Sequence, residues 1–313
     1  MKAEPAQPSR DLIATTLRER WRITPTVIDY LPVGGGGQHW LITDENSTRW
    51  FVTANGLAGR GHWIEPDADA MFARTRRAYE TVHDLDLEFA LATVPDRTGS
   101  VLHRIHAEWA LSVYPYLDSV KITERQANLA VAGFIARLHA HTPPNNVPRW
   151  QPELPQREHL ERAIAERERA ESWPHGPYSE RTRRLLLTHH GQLNEMLHRY
   201  DRLVAAASRD PGPYVMTHGE PNAGNTLRTT GGATLLIDWD TLALAPPERD
   251  LWQLDRDVWR TAAERRPRAD YLELFALWWR LSDTGSYIRR FRAPHSDDAD
   301  SAAAWRQLRR VGS

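Results

Sequence analysis

Residues Tyr214 to Trp252, YVMTHGEPNAGNTLRTTGGATLLIDWDTLALAPPERDLW, leave this chain little freedom in what it can fold into. The pattern reads as a strand over Tyr214 to Met216, a polar loop, a short strand, a turn at Gly231-Gly232 and a second strand over Ala233 to Ile237. Glycine accepts the positive φ that a tight reversal needs, so the last two strands read as a hairpin. Such a hairpin brings two polar clusters side by side: His218-Gly219-Glu220 with Asn225, and Asp238-Trp239-Asp240. Carboxylates and a carboxamide at this spacing suit a hard cation, since Mg²⁺ prefers oxygen donors and takes only one or two from protein when phosphates supply the rest. One acid to handle a nucleophile's proton and two oxygen ligands for the ion are the parts of a phosphoryl-transfer centre.

At these residues the chain resembles the aminoglycoside phosphotransferase family, which has the protein-kinase-like fold. His218, Gly219, Asn225, Ile237, Asp238, Trp239 and the run Pro246-Pro247-Glu248-Arg249-Asp250-Leu251 carry the resemblance. Glu220 stands where the family has its catalytic aspartate, and Asn222 where many members have a second histidine. The resemblance implies an α+β, two-lobed fold: a small N-terminal β-sheet lobe over residues 1–113, a hinge at 114–118 and a larger, mainly helical lobe over 119–313. It also implies transfer of the γ-phosphoryl of ATP or GTP to a hydroxyl of a small molecule. An aminoglycoside-like or other sugar-containing antibiotic comes first, then a metabolite alcohol such as choline, homoserine or a sugar. The alternative from another class is a catalytically silent kinase fold that binds a nucleotide or small ligand and serves as a binding or regulatory module. By the same resemblance, Glu220 receives or orients the acceptor's proton, with His218 a hydrogen-bonding residue of the same catalytic motif. Asn225 and Asp238 hold Mg²⁺, and Asp240 is a further candidate ligand.

Upstream, three strand-like runs cover Thr26 to Val33, Gln38 to Thr43 and Arg49 to Ala54. Gly34-Gly35-Gly36-Gly37 joins the first two, and its backbone N–H groups could approach a phosphate closely; His39 takes the place of the family's third loop glycine. The only lysines are Lys2 and Lys121, so none lies near the third strand, where the family holds the nucleotide's phosphates with one. Thr53 occupies that position. The helix expected from Asp67 to Leu85 also lacks a mid-helix glutamate, Glu65 and Glu80 lying near its ends. Arg49, Arg60 and Arg74 are the candidates for a replacement cation. Val101 to Leu102 and Trp109 to Leu117 read as a strand pair leading into the hinge, where the backbone of Tyr114 and Tyr116 matches the family's adenine-binding edge.

Thr123 with Gln126 three residues on is a capping-box signature for a helix that Pro143-Pro144 stops. Further helices are expected over Arg157 to Glu171, Ser179 to Ala207, Glu248 to Ala263, Ala269 to Leu281 and Ala302 to Val311. In the family, helices inserted near the first two of these shape the acceptor pocket. A net charge of −1 and a pI near 6.9 give no global field for nucleic acid or an anionic membrane. No apolar run approaches the ~20 residues of a membrane helix. MKAEPAQPSRD at the N-terminus lacks the apolar core of a signal peptide, and the chain has no cysteine. The expectation is a soluble, cytoplasmic protein whose partner is a small molecule.

Overall fold

A computed structural model describes residues 4–34, 37–57, 65–166, 172–263 and 265–312. Packing divides the chain into two compact units, residues 1–150 with 213–267 and residues 151–212 with 268–313.

The first unit opens with α1 (Arg10–Thr16), capped by the Ser9 hydroxyl on Leu12 N–H and continued by a π-helical turn over Leu17–Trp21. A five-stranded antiparallel sheet follows, from β1 (Pro25–Leu31), β2 (Gln38–Asp44), β3 (Arg49–Gly56), β4 (His103–His106) and β5 (Trp109–Pro115), in the order β1-β2-β3-β5-β4. Between β3 and β4 lies α2 (Ala68–Leu85), whose N-cap Asp67 accepts from the N–H groups of Asp69 and Ala70. Alternation along the strands sorts the sheet into two chemistries. Trp40, Ile42, Val52, Ala54, Leu111 and Val113 pack with Ile13 and Leu17 into a dry core. The register sets His39 beside Thr53 and Thr53 beside Ser112, with Phe51 beside Tyr114, so the opposite face is lined by His39, Phe51, Thr53, Asn55, Ser112 and Tyr114.

Val101 and Leu102 do not form the expected strand. Both are buried in an apolar cluster, but the Ser100 hydroxyl donates to the Leu102 carbonyl, and pairing starts at His103. After β5 come β6 (Ser119–Val120) and α3 (Glu124–Ala140), where Thr123 and Gln126 form the reciprocal cap.

The second unit begins with α4 (Arg157–Ala165) and α5 (Ser179–Arg209). Residues 167–171 of the expected first helix lie outside the described residues.

Returning to the first unit, β7 (Val215–Thr217) pairs with β10 (Ala243–Ala245), and β8 (Thr226–Thr229) forms the hairpin with β9 (Thr234–Leu236) through Gly232 at φ +90°. β10 was not expected. Its Leu-Ala-Leu-Ala context carries no polar alternation, Ala243 and Ala245 being buried and Leu244 partly buried. The single helix expected over Glu248 to Ala263 is two, α6 (Glu248–Leu251) and α7 (Trp259–Ala262). Between them the Trp259 indole N–H donates to the carbonyls of Leu251 and Leu254, at 2.9 and 3.0 Å, satisfying acceptors that a continuous helix would have bonded to its own backbone.

The chain then completes the second unit with α8 (Ala269–Arg292), eleven residues longer than expected at its C-terminal end, and α9 (Ala299–Leu308). Its core is made by α4, α5 and α8 through Leu160, Leu186, Leu193, Leu197, Leu274, Phe275 and Trp278. Among the described residues no helix is long and apolar enough to cross a membrane.

Candidate active site

The site is built on the loop after β7. Gly219 has φ +99°, and a Cβ there would collide with the Arg249 guanidinium, so two independent constraints demand glycine. Arg249 is fully buried and donates to the Thr217 hydroxyl (2.8 Å) and the Thr241 carbonyl (2.9 Å). Beside it the buried Asp250 carboxylate accepts from His218 N–H at 3.1 Å, Gly219 N–H at 2.6 Å and His139 Nε2 at 2.9 Å. Burial alone would raise the Asp250 carboxyl; the His139 hydrogen bond, the Arg249 charge and the backbone N–H outweigh it and hold it below the ordinary range. The Pro-x-x-x-Asp-Leu run therefore braces the loop from beneath.

His218 is fully buried, edge-on to Trp239 at 4.6 Å. Its Nε2–H donates to the Ile237 carbonyl (2.9 Å), while Nδ1 accepts from Glu220 N–H (3.2 Å). That neutral tautomer ties the loop to the end of β9. Burial drops the imidazole from 6.5 to about 4. Below pH 6.5 the unfolded chain takes up a proton that the folded loop refuses, so this contribution is complete above that pH and drains away toward pH 4. That depression corresponds to ~3 kcal/mol, about 2 kcal/mol of it gone by pH 5. Urea unfolding of His218→Gln should show a shallower loss of stability between pH 7 and 5 than the parent; equal slopes would assign the acid limb to another group.

The hairpin brings the two polar clusters together. Ile237 N–H donates to the Asn225 carbonyl at 2.9 Å, so Asn225 and Asp238 leave adjacent chain segments at one point. Asn225 donates its amide N–H to the Glu220 carbonyl (2.9 Å), which leaves Oδ1 as the amide's outward acceptor. Asp238 is exposed and holds a left-handed backbone, φ 68° and ψ 61°, ahead of the short 3₁₀ turn Trp239–Thr241. Such strain in a non-glycine residue is typical of functional loops. Asn222, whose significance the sequence does not reveal, caps the 3₁₀ turn Ala223–Asn225 by accepting from Gly224 and Asn225 N–H. Gln253 supports it from the segment after α6, accepting from Asn222 Nδ2 and donating to the Gly219 carbonyl, both at 3.1 Å.

Desolvation, then the charges of Asp238 and Glu220, push the Asp240 carboxyl well above its usual range. Among the described residues no three His, Asp or Glu side chains form a closed metal cage. An open set of one carboxamide and one carboxylate is what Mg²⁺ needs when phosphates complete its shell. The donors fit the ion.

Of the candidate cations, Arg49 is exposed, paired with Asp118 and stacked 4.7 Å over Tyr116. Arg60 lies outside the described residues. Arg74 is buried, 3.4 Å from Glu65, with Nη1 3.5 Å from the Asp240 carbonyl. Its charge belongs to the floor of the acidic cluster. Of the glycine run, Gly34 and Gly37 are described and both approach the His39 ring; Gly35 and Gly36 fall outside the described residues. Tyr116 N–H donates to the Arg49 carbonyl at 3.2 Å. Alternation in the antiparallel ladder then turns the Pro115 carbonyl and the Leu117 N–H away from β3. The Tyr114 side chain lies between Phe51 and Tyr79, and the Tyr79 hydroxyl donates to Asn55 (2.9 Å). Asn55 in turn donates to the Ser112 hydroxyl (3.0 Å), so this face carries neutral hydrogen bonds where an ion pair was missing from the sequence.

Residues 30–283 match the family described as "Phosphotransferase enzyme family". Protein StrN of Streptomyces griseus is 33% identical over 259 residues, 79% of each chain. A spectinomycin phosphotransferase solved with ADP and spectinomycin aligns with TM-score 0.74 at 14% identity, covering 97% of this chain and 95% of that one. Choline kinase LicA from Streptococcus pneumoniae aligns with TM-score 0.54 at 15% identity over 96% of each chain. These structural likenesses establish the α+β kinase-like fold, with its N-terminal antiparallel sheet and larger helical part. The match across most of the chain, over a braced loop and a two-donor hairpin of this design, makes the protein a member of the phosphotransferase enzyme family, an enzyme that phosphorylates hydroxyl groups of small molecules.

Proposed function

We propose that the enzyme moves the γ-phosphoryl of ATP or GTP to a hydroxyl of an aminoglycoside-like or other sugar-containing antibiotic. The observation that carries this reading is the bond from Ile237 N–H to the Asn225 carbonyl, which sets Asn225 and Asp238 side by side within reach of the loop bearing Glu220. In the reaction, the acceptor hydroxyl loses its proton to Glu220 as its oxygen bonds to the γ-phosphorus and the bond to the β-phosphate oxygen breaks. Asn225 and Asp238 would hold Mg²⁺, which supplies charge neutralisation on the phosphate oxygens. His218, Asp250 and Arg249 fix the loop, and Asn222 turns Asn225 toward the nucleotide. Residues 114–118 serve as the hinge, with the Pro115 carbonyl and Leu117 N–H bonding the base edge, and the glycine run covering the phosphates. The reaction requires ATP or GTP, so the cytoplasm is its proper compartment.

Support for an antibiotic acceptor comes from the spectinomycin phosphotransferase, a structure that shares the fold across nearly the whole chain. A metabolite alcohol is the second reading, favoured by the weaker likeness to a choline kinase. Incubating the purified protein with ATP or GTP, Mg²⁺ and a panel of antibiotics and amino alcohols, then reading mass gain of one phosphoryl, separates the two. Calorimetry with ADP and GDP tests the metal donors: Asp238→Ala should abolish Mg²⁺-dependent nucleotide binding while the melting transition stays cooperative. Equal nucleotide affinity of the parent with and without Mg²⁺ would overturn the assignment.

A further inference from the structure

The polar face of the N-terminal sheet carries one heteroaromatic base, His39, directly across the ladder from Thr53. Its Nδ1 lies 3.0 Å from the Thr53 hydroxyl, and its ring stacks on Phe51 with centroids 5.1 Å apart and planes at 27°. The two described ends of the glycine run close over it: a Cβ at Gly34 would come within 3.2 Å of Nε2, and one at Gly37 within 3.2 Å of Cε1 and 2.9 Å of the Thr53 methyl. The ring is thus held on three sides, by Thr53 at one nitrogen, Phe51 on one face and the glycine backbone above. A side chain at Gly37 would strike the Thr53 methyl first and then crowd this ring.

We propose that His39 is the phosphate-binding side chain of the small sheet, with Thr53 as its positioning residue. The inference rests on the nucleotide reading above. In this assignment the Thr53 hydroxyl donates to Nδ1 and the proton sits on Nε2, the nitrogen on the Gly34 side. An N–H on that side can donate to a phosphate oxygen lying over the polar face of the sheet. Among the described residues this sheet face offers no cation for the task, since Lys121 lies outside the sheet and Arg49 is engaged with Asp118. Burial lowers the ring's pKa from 6.5 to about 4, so at neutral pH the free ring is an uncharged donor of fixed tautomer. A neutral donor costs less to bury than a lysine would. The Asn55–Tyr79–Ser112 hydrogen bonds further along the same face need no charge partner either, so the whole face is consistent in being uncharged.

The test is calorimetric, on the full chain with saturating Mg²⁺, using adenosine, AMP and ADP and, in parallel, guanosine, GMP and GDP. In the series that binds, His39→Ala should weaken the diphosphate by about 10- to 100-fold, the range for losing a hydrogen bond to a charged group, and the nucleoside by less than about two-fold. His39→Gln, which returns an N–H at similar reach, should recover most of that loss. Thr53→Val, close in shape but without the hydroxyl, should weaken the diphosphate by about three- to ten-fold. Equal weakening of nucleoside and diphosphate in His39→Ala would make the ring a strut for the glycine run and overturn the proposal. So would diphosphate binding that is unchanged or tighter, because the ring would then be inert or in the phosphate's way. A parent that binds neither series overturns the nucleotide reading itself, a result distinct from parent-like diphosphate binding in the variants.

Discussion

Glu220→Gln is expected to lower kcat by ~10² to 10⁴ with nucleotide affinity unchanged, the usual span for loss of a general base. The substitution tests charge without moving the backbone, because the Glu220 peptide is pinned at both ends: its N–H donates to His218 Nδ1 and its carbonyl accepts from Asn225. Glutamine keeps the side chain's length and removes the proton acceptor. Glu220→Asp makes the opposite change, keeping the carboxylate and withdrawing it by one methylene from a loop that cannot follow. It should therefore retain part of the activity. Full activity in the Gln variant would mean that the acceptor's proton leaves by another route and that the loop only scaffolds the metal donors. Turnover of an antibiotic or amino alcohol identified by the mass-gain screen provides the assay.

The largest stability effect is expected at Asp250. Asp250→Ala removes the acceptor for two backbone N–H groups and for His139, and strips the buried Arg249 of the carboxylate that most favours its charge. Breaking a buried charge pair on one side costs ~3 to 5 kcal/mol, since the remaining charge stays desolvated. Unfolding in urea should show a loss in that range. Because the same carboxylate holds the His218-Gly219 peptide, kcat should fall as well. A loss below about 1 kcal/mol would mean the loop is held chiefly by Arg249 and His218. Asp250→Asn is the informative companion, because its amide N–H₂ must face at least one of the donors that the carboxylate accepts.

The sequence by itself determined the elements whose cause is local. Asp67 and Thr123 fill caps that one or two backbone N–H groups require, and they start helices where the pattern predicts. The Gly231-Gly232 turn and the strands around it follow from φ and alternation alone, and with them the pairing of Asn225 with Asp238. Tertiary structure decided what depends on partners distant in the chain. Asp250 reads as one acid in a short run, and only folding brings it under a loop 31 residues earlier, where burial and three donors give it a role. Asn222 reads as an odd replacement until it is seen capping the turn that presents Asn225. The helix over 248–263 breaks because Trp259 takes carbonyls from its own segment, a competition that propensity does not register. The absent lysine shows the same divide. A census of residues establishes that no ammonium can lie on β3, yet only the strand register, which sets His39 against Thr53 beneath the glycine run, says which side chain faces the space it leaves.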